Sequence, residues 1–223
     1  MHQRISKKIF IYLFVFLILA TTNNIKLSKF NFPKVNDLKI FGLSNFENEK
    51  IYKDIKYIEN KNIFSLDKNE ISNKIYSNKI VEEFIIFKNY PSNLEIKIKK
   101  TNFIAVTKKN NLDYYIGSNG NLIKFDNSTV NLPFVFGKIE AEEFLKFKAT
   151  IDNSNFNFNN IKNLYYFKSK RWDLETLDGL IIKLPLDRLE SSLNILVNLS
   201  QKKEFKDMRM IDLRQKNQVI ING

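Results

Sequence analysis

An unbroken apolar run near the N-terminus constrains this chain more than any other feature. The run extends from Ile9 to Ala20, and three basic residues precede it: Arg4, Lys7 and Lys8. A basic flank before an apolar run predicts membrane insertion, with the basic end in the cytoplasm and the rest of the chain on the other side. The sequence therefore predicts a cytoplasmic tail over residues 1–8, a transmembrane anchor over 9–24 and a folded part outside the cytoplasm.

The short length of this run leaves two fates open. A helix rises about 1.5 Å per residue and a bilayer core is about 30 Å thick, so the run needs its flanking side chains to complete a crossing. A cleaved signal peptide is the alternative, but Ala20-Thr21-Thr22 offers only a weak version of the small-residue cleavage pattern. We expect an uncleaved anchor, and either fate places the bulk of the chain outside the cytoplasm.

The residues that follow a polar linker over 25–36 predict a small domain of strands and helices over 37–103. Its first strand is Leu38 to Phe41, and two helices begin at the capping pairs Ser44 with Glu47 and Asp67 with Glu70. Isoleucines at helical spacing predict the buried helix faces: Ile51, Ile55, Ile58, Ile71 and Ile75. Two further strands form a hairpin: Val81 to Phe87 and Leu94 to Lys99. This βααββ order has the size of a POTRA module, with both helices on one face of the sheet.

From residue 104 to 223 the pattern predicts mainly strands. Asn119 and Gly120 stand between two strand-like runs, where they are expected to supply the positive φ angles of a tight turn. A helix is predicted around Glu140 to Lys148, and another begins at Asp187 and Glu190. Later strands are predicted at 164–167, 171–174, 180–184, 208–213 and 218–221. The predicted fold class is α+β, with an N-terminal transmembrane helix, a POTRA-like domain, and a mainly antiparallel β domain with flanking helices.

The composition excludes several kinds of chemistry. The chain has no cysteine and a single histidine, His2, so disulfides, thiolate metal sites and Ser/His/Asp triads are unavailable to the folded part. We therefore expect no cofactor and no metal. Two adjacent carboxylate pairs point apart on a strand and on a helix, Glu82 with Glu83 and Glu142 with Glu143. Neither pair converges as a glycosidase pair would, although distant carboxylates that meet in the fold keep a hydrolase open as an alternative.

The strongly basic charge does not predict a nucleic-acid partner. The net charge is +12, but most lysines are scattered singly between apolar and acidic residues rather than clustered in one stripe. We expect a solvated surface and no nucleic acid. Trp172, the only tryptophan, is predicted to be a core residue of the second domain, with an interface anchor as the alternative.

Several short motifs occur in a particular order along the chain. Leu38-Lys39-Ile40-Phe41-Gly42 is followed by Asn89-Tyr90-Pro91-Ser92-Asn93-Leu94-Glu95-Ile96 and then by Leu132-Pro133 with Gly137. Arg171-Trp172-Asp173-Leu174 with Gly179, Leu184-Pro185 and Ile211-Asp212-Leu213-Arg214 come next. In this order the motifs resemble those of the FtsQ/DivIB family of bacterial cell-division proteins, and the resemblance runs from the apolar segment to the C-terminus.

This resemblance implies a non-catalytic scaffold of the divisome. A member of the family would be a single-pass inner-membrane protein with a cytoplasmic N-terminus and a periplasmic bulk, concentrated at the septum, and would recruit the FtsB/FtsL pair. It also implies that a partner strand adds to an exposed sheet edge near the C-terminus. That edge maps onto Met210, Ile211, Asp212, Leu213, Arg214, Gln215, Gln218 and Val219. An anchored POTRA-type scaffold of envelope transport or assembly is the principal alternative.

Overall fold

The computed structural model describes residues 7–22, 32–125, 131–201, 208–216 and 218–223. The apolar run lies in helix α1, Lys7–Thr22. Within the described ranges, no helix combines the length and the apolar character needed to cross a bilayer. Residues 1–6 of the predicted cytoplasmic tail, residues 23–24 of the predicted anchor and residues 25–31 of the predicted linker lie outside the described residues.

The first folded unit is a three-stranded sheet with two helices, as the sequence predicts. Its strand order is β1-β3-β2, with β1 parallel to β3 and β2 antiparallel to β3. The elements, joined by a short 3₁₀ turn at Lys56–Ile58, are β1 Asp37–Phe41, α2 Asn45–Ile55, α3 Lys68–Tyr76, β2 Val81–Asn89 and β3 Asn93–Lys100.

Side-chain caps begin both helices of this unit. The backbone N–H of Ser44 donates to Glu47 Oε2 at 3.0 Å, and the backbone N–H of Glu47 donates to Ser44 Oγ at 3.4 Å. This reciprocal pair is the predicted capping box of α2. At α3, Asp67 accepts from the backbone N–H groups of Asn69 and Glu70, so the predicted cap residue is confirmed there too.

The core of this unit begins earlier than the sequence predicts. Val35 is fully buried, and its backbone N–H donates to the carbonyl of Lys61 at 2.9 Å. The last residues of the predicted linker are therefore part of the folded unit. At the far end of β1, Gly42 has φ +108°, and a Cβ there would lie 1.8 Å from the carbonyl oxygen of Ile98. Only glycine fits where the chain passes so close to β3.

The second unit is built on one nine-stranded sheet whose order is β12-β11-β10-β9-β8-β7-β4-β5-β6. The pairs β4 with β7, β7 with β8 and β10 with β11 are parallel, and the other neighbours are antiparallel. The elements are β4 Phe103–Lys109, β5 Leu112–Gly117, β6 Leu122–Lys124, β7 Phe134–Phe136, α4 Ala141–Asn153, β8 Ile161–Tyr166, β9 Trp172–Thr176, β10 Ile181–Lys183, α5 Leu189–Ser200, β11 Met210–Asp212 and β12 Ile220–Asn222.

Helices α4 and α5 cover one face of this sheet. Trp172 is 4% exposed and stacks on Phe147 of α4 with 4.2 Å between ring centroids. Leu193 and Leu196 of α5 are buried in the same core. The prediction that Trp172 is a core residue is therefore confirmed.

Two local predictions in this unit are wrong. The N-cap of α5 is Arg188 in a left-handed conformation, with φ 59° and no side-chain cap, so Asp187 does not cap the helix. In the β5–β6 turn, Gly120 has φ +75°, but Asn119 does not take a positive φ. The Asn119 side chain instead donates to the carbonyl oxygens of Lys79 and Val81 at 2.9 Å each.

The β5–β6 turn therefore joins the two folded units. Beside the Asn119 contacts, the Ser118 hydroxyl donates to Glu82 Oε2 at 2.9 Å and lies 3.1 Å from Thr101 Oγ1. The backbone N–H of Asn119 also donates to Thr101 Oγ1 at 3.3 Å. These bonds hold a turn of the second unit against the start of β2 in the first.

Candidate partner-binding edge

The outermost strand on the C-terminal side of the large sheet is β12. Ile211 of β11 lies opposite Ile182 of β10 on one side and opposite Ile221 of β12 on the other. The prediction that the strand around residues 211–214 forms the exposed edge is therefore wrong, because both sides of β11 are paired. The open edge lies one strand further along the chain.

Burial divides the predicted site residues into two groups. Ile211, Asp212 and Leu213 are 1%, 5% and 4% exposed, and Met210 is half-buried. The remaining four side chains are exposed and lie between β11 and β12, where the chain turns back: Arg214, Gln215, Gln218 and Val219. The structure thus places half of the predicted residues in the sheet interior and half at its border.

The edge strand itself carries an exposed apolar run. Val219, Ile220 and Ile221 are 38%, 47% and 44% exposed, and all three are β-branched side chains that favour extended backbone. An outermost strand presents N–H and C=O groups without a neighbour on its open side, which is a template for pairing with another chain. Exposed apolar side chains on such a strand add burial to those backbone bonds.

A row of alternating charges crosses the sheet towards this edge. Asp173 lies opposite Lys183, Lys183 lies opposite Asp212, and Asp212 lies opposite Ile220. Both aspartates are nearly buried, and each is paired with an arginine two residues away. The row keeps these charges neutralised next to the open strand.

The Arg214 side chain is held by Asp212. Its Nε lies 2.8 Å from Asp212 Oδ1, and its backbone N–H donates to the same oxygen at 3.0 Å. Hydrogen bonding from Arg214 lowers the pKa of Asp212 below its ordinary value, and the charge of Lys183 acts in the same direction. Arg214 nevertheless keeps 40% of its side chain exposed, so it presents a fixed cation in the segment between β11 and β12.

Three carboxylates of the second unit, those of Glu142, Glu143 and Glu175, take part in ion pairs. Hydrogen bonds from Asn163, Lys162 and Tyr165 lower the pKa of Glu175, which leaves it ionised, whereas a general acid needs a raised pKa. Glu142 and Glu143 share Lys146 on the surface of α4. Within the described ranges, no group of three or more histidine, cysteine or acidic side chains could hold a metal ion.

Sequence reasoning missed the residues that form the edge. Ile220, Ile221 and Asn222 make up β12, whereas the predicted set stops at Val219. The signal was present, because Val219-Ile220-Ile221 reads as a strand, but periodicity cannot tell which strand of a sheet is outermost. The Asp-Leu-Arg motif therefore led the sequence-based prediction to the neighbouring strand, β11.

The βααββ unit followed by a nine-stranded mixed sheet defines a protein with a POTRA-like domain and a second, β-rich domain. Comparisons with known families agree with this two-domain architecture. The family model "POTRA domain, FtsQ-type" matches residues 34–100, and "Cell division protein FtsQ/DivIB, C-terminal" matches residues 105–214. The chain belongs to the FtsQ/DivIB family of bacterial cell-division proteins.

Curated relatives cover most of the chain at low identity. The cell division protein FtsQ of Rickettsia bellii is 26% identical over 202 residues, covering 84% of this chain and 72% of that protein. FtsQ of Agrobacterium fabrum is 23% identical over 184 residues, covering 81% of this chain and 58% of that protein. The solved extracytoplasmic domain of the trans isomer of DivIB from Geobacillus stearothermophilus is 10% identical, with a TM-score of 0.36 over 48% of this chain and 98% of that chain.

Proposed function

We propose that this protein is a non-catalytic scaffold of the cell-division machinery that captures a strand of an FtsB/FtsL-type partner on the open edge of β12. Helix α1 holds it in the inner membrane, with the N-terminus in the cytoplasm and the two folded units in the periplasm at the septum. The observation that carries the proposal is the outermost strand Ile220–Asn222 with its exposed apolar side chains.

Strand addition accounts for how such an edge selects a partner. Main-chain hydrogen bonds supply affinity for any extended segment, and the side chains beside the edge select its register. A partner strand on β12 would lie against the exposed Val219 and Ile221 and near the fixed guanidinium of Arg214. An apolar strand with an acidic residue on the Arg214 side fits this surface best.

Hydrogen exchange tests the proposed edge directly. The full chain, reconstituted in nanodiscs, is compared with and without an FtsB/FtsL-type complex. Added strand pairing protects the amides of residues 220–222 on their open side, so their exchange should slow by at least an order of magnitude. The matched control is β6, the opposite edge of the same sheet, whose amides at Leu122–Lys124 should exchange at unchanged rates.

Two results would count against this proposal. Protection at β6 with none at β12 would move the site to the other edge, and protection at neither edge would remove strand addition as the mode of binding.

The cellular role has its own test. Depletion should give long undivided filaments, because a missing scaffold blocks septation while growth continues. Normal septation with a permeability defect would instead favour a scaffold of envelope transport or assembly.

A further inference from the structure

Three exposed aromatic rings form a cluster at one end of the POTRA unit. Phe64 and Tyr90 stack with 5.0 Å between ring centroids, and Phe32 meets Phe64 edge-on at 6.1 Å. The three side chains are 54%, 55% and 58% exposed, for Phe32, Phe64 and Tyr90 respectively. Packing among themselves does not cover these rings, so much apolar surface faces outward at one place. We call these residues the aromatic trio.

The aromatic trio lies at the end of the unit where the chain enters from α1. Phe32 is the first described residue after the gap at 23–31, and Tyr90 is in the turn that precedes β3. The opposite end is marked by Lys100, the last residue of β3, whose Nζ lies 3.0 Å from Glu47. At about 3.4 Å per residue, the eight residues of β3 separate the two ends by roughly 25 Å. The second unit continues from the Lys100 end.

The chain between α1 and the aromatic trio is short. A fully extended chain spans at most about 3.6 Å per residue, so residues 23–31 keep Phe32 within roughly 35 Å of the end of α1. If α1 is held in a bilayer, the aromatic trio is never far from that bilayer. Tyrosine is enriched at the level of the lipid headgroups, and phenylalanine is common on the apolar face of segments that lie in this interface.

Basic side chains flank the aromatic trio. Lys34 and Lys61 are exposed, and they lie on two segments that the pairing of Lys34 with Asn62 brings together. Lys88 donates to the carbonyl of Ile63 at 2.8 Å. The acidic residues nearest in sequence are already engaged. Asp37 pairs with Lys39 at 3.0 Å, Glu59 accepts from the Tyr52 hydroxyl at 2.6 Å, and Asp67 accepts from the backbone N–H groups of Asn69 and Glu70. Exposed lysines beside apolar rings fit an anionic lipid surface, because phosphate groups attract basic side chains and the headgroup region accepts the rings.

We infer that the aromatic trio docks the POTRA unit onto the anionic phospholipid surface of the membrane in which α1 is anchored. Phe32, Phe64 and Tyr90 enter the headgroup region, and Lys34 and Lys61 contact lipid phosphates. Docking fixes the end of the POTRA unit against the bilayer and directs the second unit away from it. This inference rests on the proposed anchor.

The chain has no cysteine, so a thiol-reactive spin label attaches only at a cysteine that is introduced by substitution. Ser65→Cys places a label next to Phe64 without removing any ring of the aromatic trio. Asn45→Cys is the matched control, because it stands beside Phe46, which is 78% exposed at the opposite end of the same unit. Leu13→Cys reports on α1. Each full-length variant is placed in nanodiscs of phosphatidylethanolamine and phosphatidylglycerol, and power-saturation EPR compares the collisions of the label with oxygen and with a water-soluble nickel complex.

The label at position 65 should favour oxygen over nickel, as should the label at position 13, whereas the label at position 45 should favour nickel. Replacing the aromatic trio with serine should return the label at 65 to water, and Phe46→Ser should leave it unchanged. A label at 13 in lipid with the label at 65 in water overturns the docking inference alone. Labels at both positions in water overturn the anchor and the docking together. A label at 65 that becomes protected only when a second protein is added assigns the surface to a protein partner and overturns the lipid assignment.

Discussion

Ile211 lies directly opposite Ile221 across the last strand pair of the sheet, yet the first is 1% exposed and the second 44% exposed. The difference arises because β11 has a neighbour on each side and β12 has one. Two residues that face each other in one ladder therefore respond differently to the same substitution.

Proline substitution separates the two strands. Ile211→Pro removes a ladder hydrogen bond and a buried side chain, and a loss of about 2–5 kcal/mol is expected from the side chain alone. Single proline substitutions are then made at positions 220, 221 and 222. Where the replaced residue directs its N–H to the open side of β12, the variant should unfold at the same urea concentration as the unsubstituted protein but lose partner binding. Trp172, the only tryptophan, reports the unfolding by fluorescence. An Ile211→Pro variant that folds normally but fails to bind would contradict the strand order.

The Asp212–Arg214 pair predicts an acid-sensitive contribution to stability. The pKa of Asp212 is lowered in the folded state, so its contribution is complete above the unfolded carboxyl value of about 3.9 and is lost as the pH falls through the folded value. Asp212→Asn should therefore lower the melting temperature at neutral pH, and the gap to the unsubstituted protein should close below about pH 4. Asp187→Asn, at a side chain 80% exposed, should show little gap at any pH. A gap that is constant from neutral to acidic pH would contradict the assignment.

Asn119 should couple the unfolding of the two units. Asn119→Ala removes the donors to the carbonyl oxygens of Lys79 and Val81, and each such bond at a partly exposed site contributes about 0.5–1.5 kcal/mol. Trp172 fluorescence follows the second unit alone, whereas far-UV circular dichroism follows both. The two probes should give separate midpoints in Asn119→Ala. Ser118→Ala, which removes the bond to Glu82, should separate them less, and coincident midpoints in both variants would show that the turn does not couple the units.

Tyr57 carries a hydroxyl that its surroundings do not satisfy. Its Oη is buried, and no partner among the described residues lies in good hydrogen-bond geometry. Burial raises the pKa of Tyr57 to about 12, and the Glu70 carboxylate, a candidate acceptor that lies outside good bonding geometry, adds to the rise. Removing a buried polar group that has no partner is neutral or stabilising. Tyr57→Phe should therefore leave the free energy of unfolding unchanged or raise it by up to about 1 kcal/mol. A thermal melt should show the same or a higher midpoint. A loss of more than about 1 kcal/mol would show that the hydroxyl has a bonding partner.

Local features of the fold could be predicted from the sequence, and long-range ones could not. Ser44 with Glu47 begins α2 as predicted because a capping box is complete within four neighbouring residues. Arg188 was missed as the cap of α5, because the left-handed backbone there takes the place of a side-chain cap. The sequence predicts a backbone role for Asn119 in its own turn, whereas its side chain bonds to Lys79 and to Val81 at the start of β2, about forty residues away in the chain. Nothing local to a turn encodes such a partner.

The position of the binding edge was missed for a similar reason. Alternation along β11 and β12 reports which side chains face the core, but it does not report which strand lies beside which. The pairing of Ile211 with Ile182 on one side and with Ile221 on the other shows that β11 is enclosed.

The parallel pairing of β10 with β11 sets the order in which this sheet can be completed. A hairpin can close locally, but two parallel neighbours need a crossover, and here the crossover contains α5. The antiparallel pair β11–β12 can close locally, but it joins the rest of the sheet only through β10, so it needs the crossover with α5 to be in place. If β12 captures a partner strand as proposed, the edge with the Val219-Ile220-Ile221 side chains is part of the large sheet only in copies whose crossover has formed, so binding would depend on complete folding of the second unit.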